Sequence, residues 1–392
     1  MHPALRTENF TESVIREMTR LIQLYHPEDG INLAQGFPNF PAPAALKEAA
    51  CAAVMADTNQ YAITWGAKDF RDAIVSKTAR FGGPVYDPET EVTVTCGATE
   101  AMVSVMLALL NPGDEVVIFE PFYENYGPDA ILSAAKPRFV SLLAPDWSID
   151  WDALERAFND RTRAVVINTP NNPTGKVFSA AELARIAELC RTNDCMVITD
   201  EIYEHMVYDG AKHVSPATLP AMRERTVVVN GLSKTYSVTG WRVGYVLAPP
   251  ALTSAIRKVH DFLTVGAPAP LQEAGVTAMN LPADYYDYLQ DSYQERRDYF
   301  VPALRDLGLR PFEPAGAYYV MCDISSLGFN DDVACADWMV RELGVAVVPG
   351  SSFYSEPGRG RHLIRFAFPK RMETLEQAVE RLNPVRSLVS RH

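Results

Sequence analysis

Ser233-Lys234-Thr235-Tyr236-Ser237-Val238-Thr239-Gly240-Trp241-Arg242-Val243-Gly244-Tyr245 is a polar stretch between two apolar runs, Thr226–Asn230 and Val243–Leu247. Both runs are short and rich in β-branched residues, and they read as buried strands. A lysine between core strands is poorly placed to be a surface charge alone. Partial desolvation favours its neutral amine, a nucleophile able to form an imine with an aldehyde cofactor. Arg242, eight residues on, and Ser233, just before, suit that cofactor's phosphate. Read alone, Lys234 also fits a solvated loop charge.

The pattern upstream fixes the class. From about residue 91, short apolar runs alternate with helical stretches: Glu91–Cys96, Glu115–Phe119, Arg138–Leu142, Ala164–Asn168 and Met196–Thr199, with helices such as Ala180–Cys190 between several of them. Near-continuous apolar strands separated by helices predict an α/β fold with a mostly parallel sheet covered on both faces. From about Tyr285 the pattern changes to a charged helix over Tyr285–Leu307, a strand over Ala317–Cys322, a helix near Val333–Leu343, a strand over Leu363–Phe368 and a last helix to about Leu382. Residues 1–40 read as an N-terminal segment. Its helix is capped by Thr11 or Ser13, and Val14, Ile15, Met18, Leu21 and Ile22 form a face that packs on the C-terminal part. The expected division is 1–40, a large cofactor-binding domain over 41–284, and a small α+β domain over 285–392.

Composition removes several functions. The net charge of −13 over 392 residues, with no basic cluster, argues against a nucleic-acid partner. No apolar run approaches a membrane span, and the N-terminus lacks the hydrophobic region of a signal peptide, so a cytoplasmic protein without a membrane partner is expected. Cys96, Cys190, Cys195 and Cys322 sit in apolar runs and read as buried free thiols. The seven histidines show no metal-ligand spacing, so no metal is expected. The absence of GxGxxG after the first strands weighs against a dinucleotide fold, and no helix-turn-helix or basic surface suggests a regulator.

Polar motifs gather at predicted strand ends, where α/β sheets collect ligands. Cys96-Gly97-Ala98-Thr99-Glu100 is a strand-to-helix turn whose free N–H groups and Thr99 hydroxyl suit a phosphate, although a glycine there can be only a turn. Thr169-Pro170-Asn171-Asn172-Pro173-Thr174-Gly175 is a stiff loop that aims Asn172. Asp200 ends the strand of Met196-Val197-Ile198-Thr199-Asp200-Glu201-Ile202-Tyr203. It can hold a heterocyclic nitrogen, or merely cap the next helix. Tyr203 can reach a phenolate oxygen on the same ring, and Tyr123 in Glu120-Pro121-Phe122-Tyr123 can lie on a flat cofactor or pack in the core. Arg365 interrupts the apolar run Leu363–Phe368, facing away from Ile364 and Phe366. Its planar fork suits a substrate carboxylate or an internal salt bridge. Gly36, in Gln35-Gly36-Phe37-Pro38, lies in a rigid loop able to approach a ligand backbone-first.

Together these residues resemble the class I/II aminotransferases, pyridoxal-phosphate enzymes of fold type I. The resemblance runs through nearly the whole chain: GFPNFPAP, NQYAITWGAKDFR, TCGATEA, EPFYENY, TPNNPTG, TDEIYE, SKTYSVTGWRVGY and HLIRFAFPK, in the family's order. It is nearest to the kynurenine/glutamine transaminase-like and bacterial aspartate aminotransferase-like branch. It implies that Lys234 carries pyridoxal 5'-phosphate as a Schiff base and later moves the substrate proton. Asp200 pairs with the pyridine N–H, Tyr203 and Asn172 reach the phenolate oxygen, and Tyr123 stacks on the ring. Gly97, Ala98, Thr99, Ser233 and Arg242 hold the phosphate, and Tyr61 reaches the phosphate of a partner subunit in a homodimer. Arg365 clamps the substrate α-carboxylate, helped by Asn172 and the Gly36 loop. Cis bonds are implied before Pro121 and Pro173. Asn39 departs from the aspartate of many relatives, outside the cofactor set. The implied reaction moves an amino group between a 2-amino acid and a 2-oxo acid. The alternative on the same scaffold is β-elimination from cysteine conjugates or a γ-replacement. No second arginine stands where the sequence identifies it as a clamp for a distal carboxylate.

Overall fold

The computed structural model describes residues 2–389. The first helix, α1, spans Val14–Tyr25, and of the two expected caps it uses Ser13, whose Oγ accepts the Arg16 N–H at 3.3 Å. Ile15, Met18 and Ile22 are its buried residues, at the 3–4 spacing of one helical face. That face meets the helix Asp332–Leu343 and the strands beside it. A two-residue strand β1 (Ile31–Asn32) follows, then α2 (Ala44–Met55) and α3 (Lys68–Arg80).

The large sheet has eight strands: β2 (Val92–Thr95), β3 (Glu115–Glu120), β4 (Lys136–Leu143), β5 (Ser148–Ile149), β6 (Thr162–Asn168), β7 (Met196–Asp200), β8 (Thr226–Gly231) and β9 (Gly244–Leu247), in the order β2-β9-β8-β7-β6-β3-β4-β5. Each run expected as a strand forms one, with ends moved by a residue or two. The five neighbours β8, β7, β6, β3 and β4 run parallel. β9 is antiparallel to both β8 and β2. The reversal has a simple cause: the polar loop between β8 and β9 contains no helix, and a parallel return needs a longer crossover. Val243 lies outside β9 because Arg242 takes a left-handed backbone, φ +56. Separate apolar clusters cover the two faces. One packs Val227, Val229 and Val246 against Met102 and Met106 of the helix α4 (Ala98–Leu109). The other packs Val228, Tyr245 and Leu247 against Phe70 and Ile74 of α3.

The C-terminal part carries its own antiparallel sheet, ordered β10 (Arg310–Pro311), β11 (Tyr319–Asp323), β14 (Leu363–Ala367), β13 (Val348–Pro349), while β12 (Val345–Ala346) pairs in parallel with β1. β11 starts at Tyr319 rather than at the expected Ala317, whose φ of +57 interrupts the extended backbone. A long helix, Ala283–Asp306, covers this sheet. Of the cysteines expected to be buried, Cys190, Cys195 and Cys322 are, while Cys96 is half-buried at the mouth of the turn before α4. Cis bonds precede Pro121 and Pro173, and also Pro145 and Pro170.

Two glycines let β9 and the start of α4 touch. Gly97 has φ +85, and a Cβ on Gly244 would lie 2.6 Å from the Gly97 carbonyl carbon and 2.7 Å from the Ala98 nitrogen. Those are backbone atoms that cannot swing aside. Gly244→Ala is therefore expected to destabilise the fold by about 1–3 kcal/mol, measured by denaturant unfolding. Gly240→Ala, where nothing lies within 4 Å of the added carbon, should stay within about 0.5 kcal/mol.

Candidate active site

The carboxyl ends of β6, β7 and β8, the start of α4, the loop 35–37 and β14 surround one cavity of about 440 Å³. Eleven of the thirteen site residues expected from sequence line it: Gly36, Ala98, Thr99, Tyr123, Asn172, Asp200, Tyr203, Ser233, Lys234, Arg242 and Arg365. Gly97 lies directly behind, where an added Cβ would collide with the Arg242 guanidinium. Tyr61 is 85% exposed and outside the cavity.

Lys234 opens onto this cavity and its amine donates to the Gly36 carbonyl at 3.1 Å. Burial pushes the amine down to about 8, helped by the Arg242 charge and opposed by Asp200. The Tyr203 and Tyr318 rings face it at 5.9 and 5.8 Å. Asp200, at the end of β7, is 7% exposed. Burial pushes its carboxyl up to about 6, against hydrogen bonds from Tyr126 and the Ile202 N–H. It thus accepts from the backbone two residues on, at 3.2 Å, but opens no helix.

Arg365 is fully buried and has no carboxylate partner among the described residues. An internal salt bridge, the competing reading of its sequence context, is not what holds it. One nitrogen donates to Asn172 Oδ1 at 2.9 Å, another to the Ala34 carbonyl, and Nε has no partner. Its guanidinium lies between the rings of Tyr319, at 4.4 Å, and Phe353, at 4.9 Å. A buried cation with an idle donor is costly unless an anion arrives. The Asn172 N–H in turn donates to Asn168 Oδ1 at 2.7 Å, which fixes the start of the proline loop.

Sequence reading missed several groups in and around the cavity. The Tyr126 hydroxyl donates to Asp200 Oδ2 at 2.7 Å. It stands three residues after Tyr123 in the same motif, so the repeated tyrosine was the available signal. Tyr319 meets the Tyr203 hydroxyl at 2.9 Å, and Tyr318 donates to the Gly36 carbonyl at 2.9 Å. Lys370 donates to the Phe37 carbonyl at 2.8 Å and ties the 35–37 loop down from behind. Nothing in the local pattern marks Tyr318 and Tyr319, whereas Lys370 closes the motif His362–Lys370. Ser13, Arg16 and Glu124 also line the cavity.

The histidine spacing gave no metal set, yet the fold brings Glu201, Glu204 and His213 together, their ligand atoms within 4.8 Å of one another. The cluster carries its own cations. Lys77 pairs with Glu204, and His213 Nε2 lies 3.1 Å from Glu201. Burial works against the charge on His213, but Glu201 and Glu204 outweigh it and raise its basicity.

The donor set suits a phosphorylated aldehyde. The first N–H groups of α4, with Thr99, Ser233 and Arg242, form an anion cradle. A desolvated amine and a buried acid share the cavity with it. A family model described as aminotransferase class I and II matches residues 28–382. The chain is 38% identical over 364 residues to a methionine aminotransferase of Escherichia coli, covering 93% of this chain and 94% of that protein. It is 37% identical over 394 residues to human kynurenine–oxoglutarate transaminase 1, covering 92% and 93%. The solved structure of N-succinyldiaminopimelate aminotransferase from Mycobacterium tuberculosis superposes with a TM-score of 0.95 at 36% identity, covering 98% of this chain and all of that one. With the family model spanning most of its length and these relatives matching it end to end, the chain belongs to the class I and II aminotransferases of fold type I, and it is a pyridoxal-phosphate enzyme that moves an amino group between a 2-amino acid and a 2-oxo acid.

Proposed function

We propose that Lys234 is the catalytic amine of this transaminase and that Arg365 receives the α-carboxylate of its substrate. The observation that carries the reading is the pairing, in one cavity, of a lysine whose pKa burial lowers to about 8 with a buried arginine that has no carboxylate partner among the described residues. Pyridoxal phosphate, when bound, supplies an aldehyde that captures amines and a ring that takes up electrons. At pH 7–8 a substantial fraction of Lys234 is unprotonated, so it can attack as a nucleophile and later carry a proton at the substrate Cα. Arg365 turns the substrate by its carboxylate, and the Tyr319 and Phe353 rings keep water from its faces. Asp200 would hold the pyridine nitrogen of the bound cofactor, and Tyr126 holds its carboxylate in place. Asn172 spends its carbonyl on Arg365, which leaves its amide N–H group for the phenolic oxygen of the ring, beside Tyr203. Tyr123, in the cavity wall, would stack on the ring. The α4 N-terminus at Gly97, Ala98 and Thr99, with Ser233 and Arg242, holds the phosphate.

Tyr61 fits a homodimer. An aromatic side chain left 85% exposed outside its own cavity is placed to serve the phosphate of the partner subunit. Residues 41–284 then form the cofactor-binding domain and 285–392 the smaller domain that brings Arg365, with the segment 1–40 between them over the mouth. No described helix is long and apolar enough to cross a membrane, and we assign the enzyme to the cytoplasm.

Lys234→Ala is expected to abolish turnover. Lys234→Arg should not restore it, since guanidinium stays protonated; steady-state transamination of a donor panel with 2-oxoglutarate or pyruvate reads both. Retained activity in either variant rejects the assignment, and pyruvate and ammonia released without a 2-oxo acid would mean elimination instead. Arg365→Ala should raise KM for the amino acid at least tenfold with cofactor still bound, because a carboxylate loses a charge-assisted fork. Unchanged KM means that another group holds the carboxylate.

Asp200 gives a prediction for protein stripped of cofactor. Its folded pKa, about 6, lies above its ordinary 3.8. The protonated form is thus favoured by folding. The stabilisation is complete below about pH 4 and is lost as pH rises through 6, up to about 3 kcal/mol at 1.4 kcal/mol per unit. Asp200→Asn should remove that loss. The wild-type-minus-variant stability difference, followed by urea unfolding from pH 4 to 7.5, is expected to decline across this range; a flat difference contradicts the environment described for Asp200.

A further inference from the structure

His260 is fully buried in the helix Pro250–Thr264, which packs against α4, and it has no task in the reading above. Its Nδ1 lies 3.1 Å from both carboxylate oxygens of Glu100, in the first turn of α4, and 3.3 Å from the Thr264 hydroxyl. Its Nε2 lies 2.9 Å from the Thr64 carbonyl. Glu100 also accepts from Ser104 and, at 3.0 Å, from the Cys96 N–H, so it braces the turn Gly97–Thr99 from both sides. A carboxylate and a carbonyl can only accept. Both ring nitrogens must then donate, and only the imidazolium does so. Burial works against that charge, but Glu100, the Thr64 carbonyl and Asp261 of its own helix outweigh it and raise the basicity of the ring. The Thr64 hydroxyl reaches Asp261 at 3.4 Å. Among the described residues Gln60, Tyr61 and Ala62 make no hydrogen bond, so the loop that carries Tyr61 takes its position from Ile63 and Thr64 onward.

We propose that charged His260 is a positioning residue, clamping the phosphate turn of its own subunit to the loop that presents Tyr61 to the cofactor phosphate of the partner subunit. The inference rests on the assignment of Tyr61 to that phosphate. One buried ring then joins the two active sites: a phosphate that steadies the first turn of α4 also steadies the tyrosine offered to the other site. Loss of one proton leaves the ring a single donor. The carboxylate, as the stronger acceptor, keeps it, the Thr64 carbonyl faces a lone pair, and the Tyr61 loop is released.

The test titrates protein stripped of cofactor with pyridoxal phosphate and reads Kd from the visible absorption. His260→Asn keeps a donor where Nδ1 stands and loses the reach to Thr64. Its Kd is expected to rise roughly tenfold at pH 6.5, the effect of one lost hydrogen bond from a charged group, and to come within about threefold of wild type at pH 9, where wild type has lost the same bond. In a Tyr61→Phe background the His260→Asn penalty should shrink below about threefold, because both changes cut one path. Penalties that simply multiply overturn the inference, as does an unchanged Kd in His260→Asn where Tyr61→Phe weakens binding. An unchanged Kd in Tyr61→Phe rejects the role of Tyr61 itself. Should His260→Asn not fold, Tyr61→Phe alone decides, since the site is exposed: its penalty should shrink from pH 6.5 to 9, and a constant penalty overturns the clamp.

Discussion

The removal of water from one primary amine is the constraint on which this structure turns. A lysine stays protonated in water at physiological pH and is then no nucleophile. Here the chain places Lys234 in a turn between β8 and β9, with Arg242 adding repulsion and, among the described residues, a single backbone carbonyl accepting its hydrogen bond. That placement requires a sheet whose last strand reverses direction, because a helical crossover would carry the loop away from the strand ends. It also requires Gly97 and Gly244, whose missing side chains let the turn and the start of α4 close upon each other. Sheet topology, two glycines and the acidity of one ammonium group are thus a single arrangement.

Much of this was legible in the chain and some was not, for identifiable reasons. Asp200, Asn172 and Lys234 end apolar runs or sit in constrained loops, so a polar residue in the wrong place gave them away. Arg365 was visible because it is the one charge in the otherwise apolar run Leu363–Phe368. What the sequence left open was whether an acid of the protein neutralised it, since that depends on which chain segments meet; among the described residues none does. Tyr318 and Tyr319 look like ordinary core aromatics, and only the approach of the 35–37 loop gives their hydroxyls a purpose. Arg16 illustrates the limit most clearly. On a helical wheel it belongs to the solvent face of α1, and only the angle at which that helix crosses the cavity mouth brings it into the wall.

The two parts of the molecule contribute different kinds of order. The large sheet supplies strand ends and a helix start, which fix donors without side-chain freedom. The small sheet supplies one arginine from a fully packed strand, wedged between two rings. α1 spans the two, with Ser13 bonded to Glu124 of the large part and its apolar face buried beside β12 and β13. A shift of that helix would therefore alter the outer wall of the cavity while leaving the cofactor groups in place.

The lack of a counter-charge for Arg365 among the described residues also shapes how the protein meets small anions in general. A guanidinium shut away from water, with one donor idle, attracts any slim carboxylate that can reach it. Acetate, formate and other simple acid salts would then occupy the same seat and act as competitive inhibitors, so activity should depend on the buffer chosen as well as on its pH.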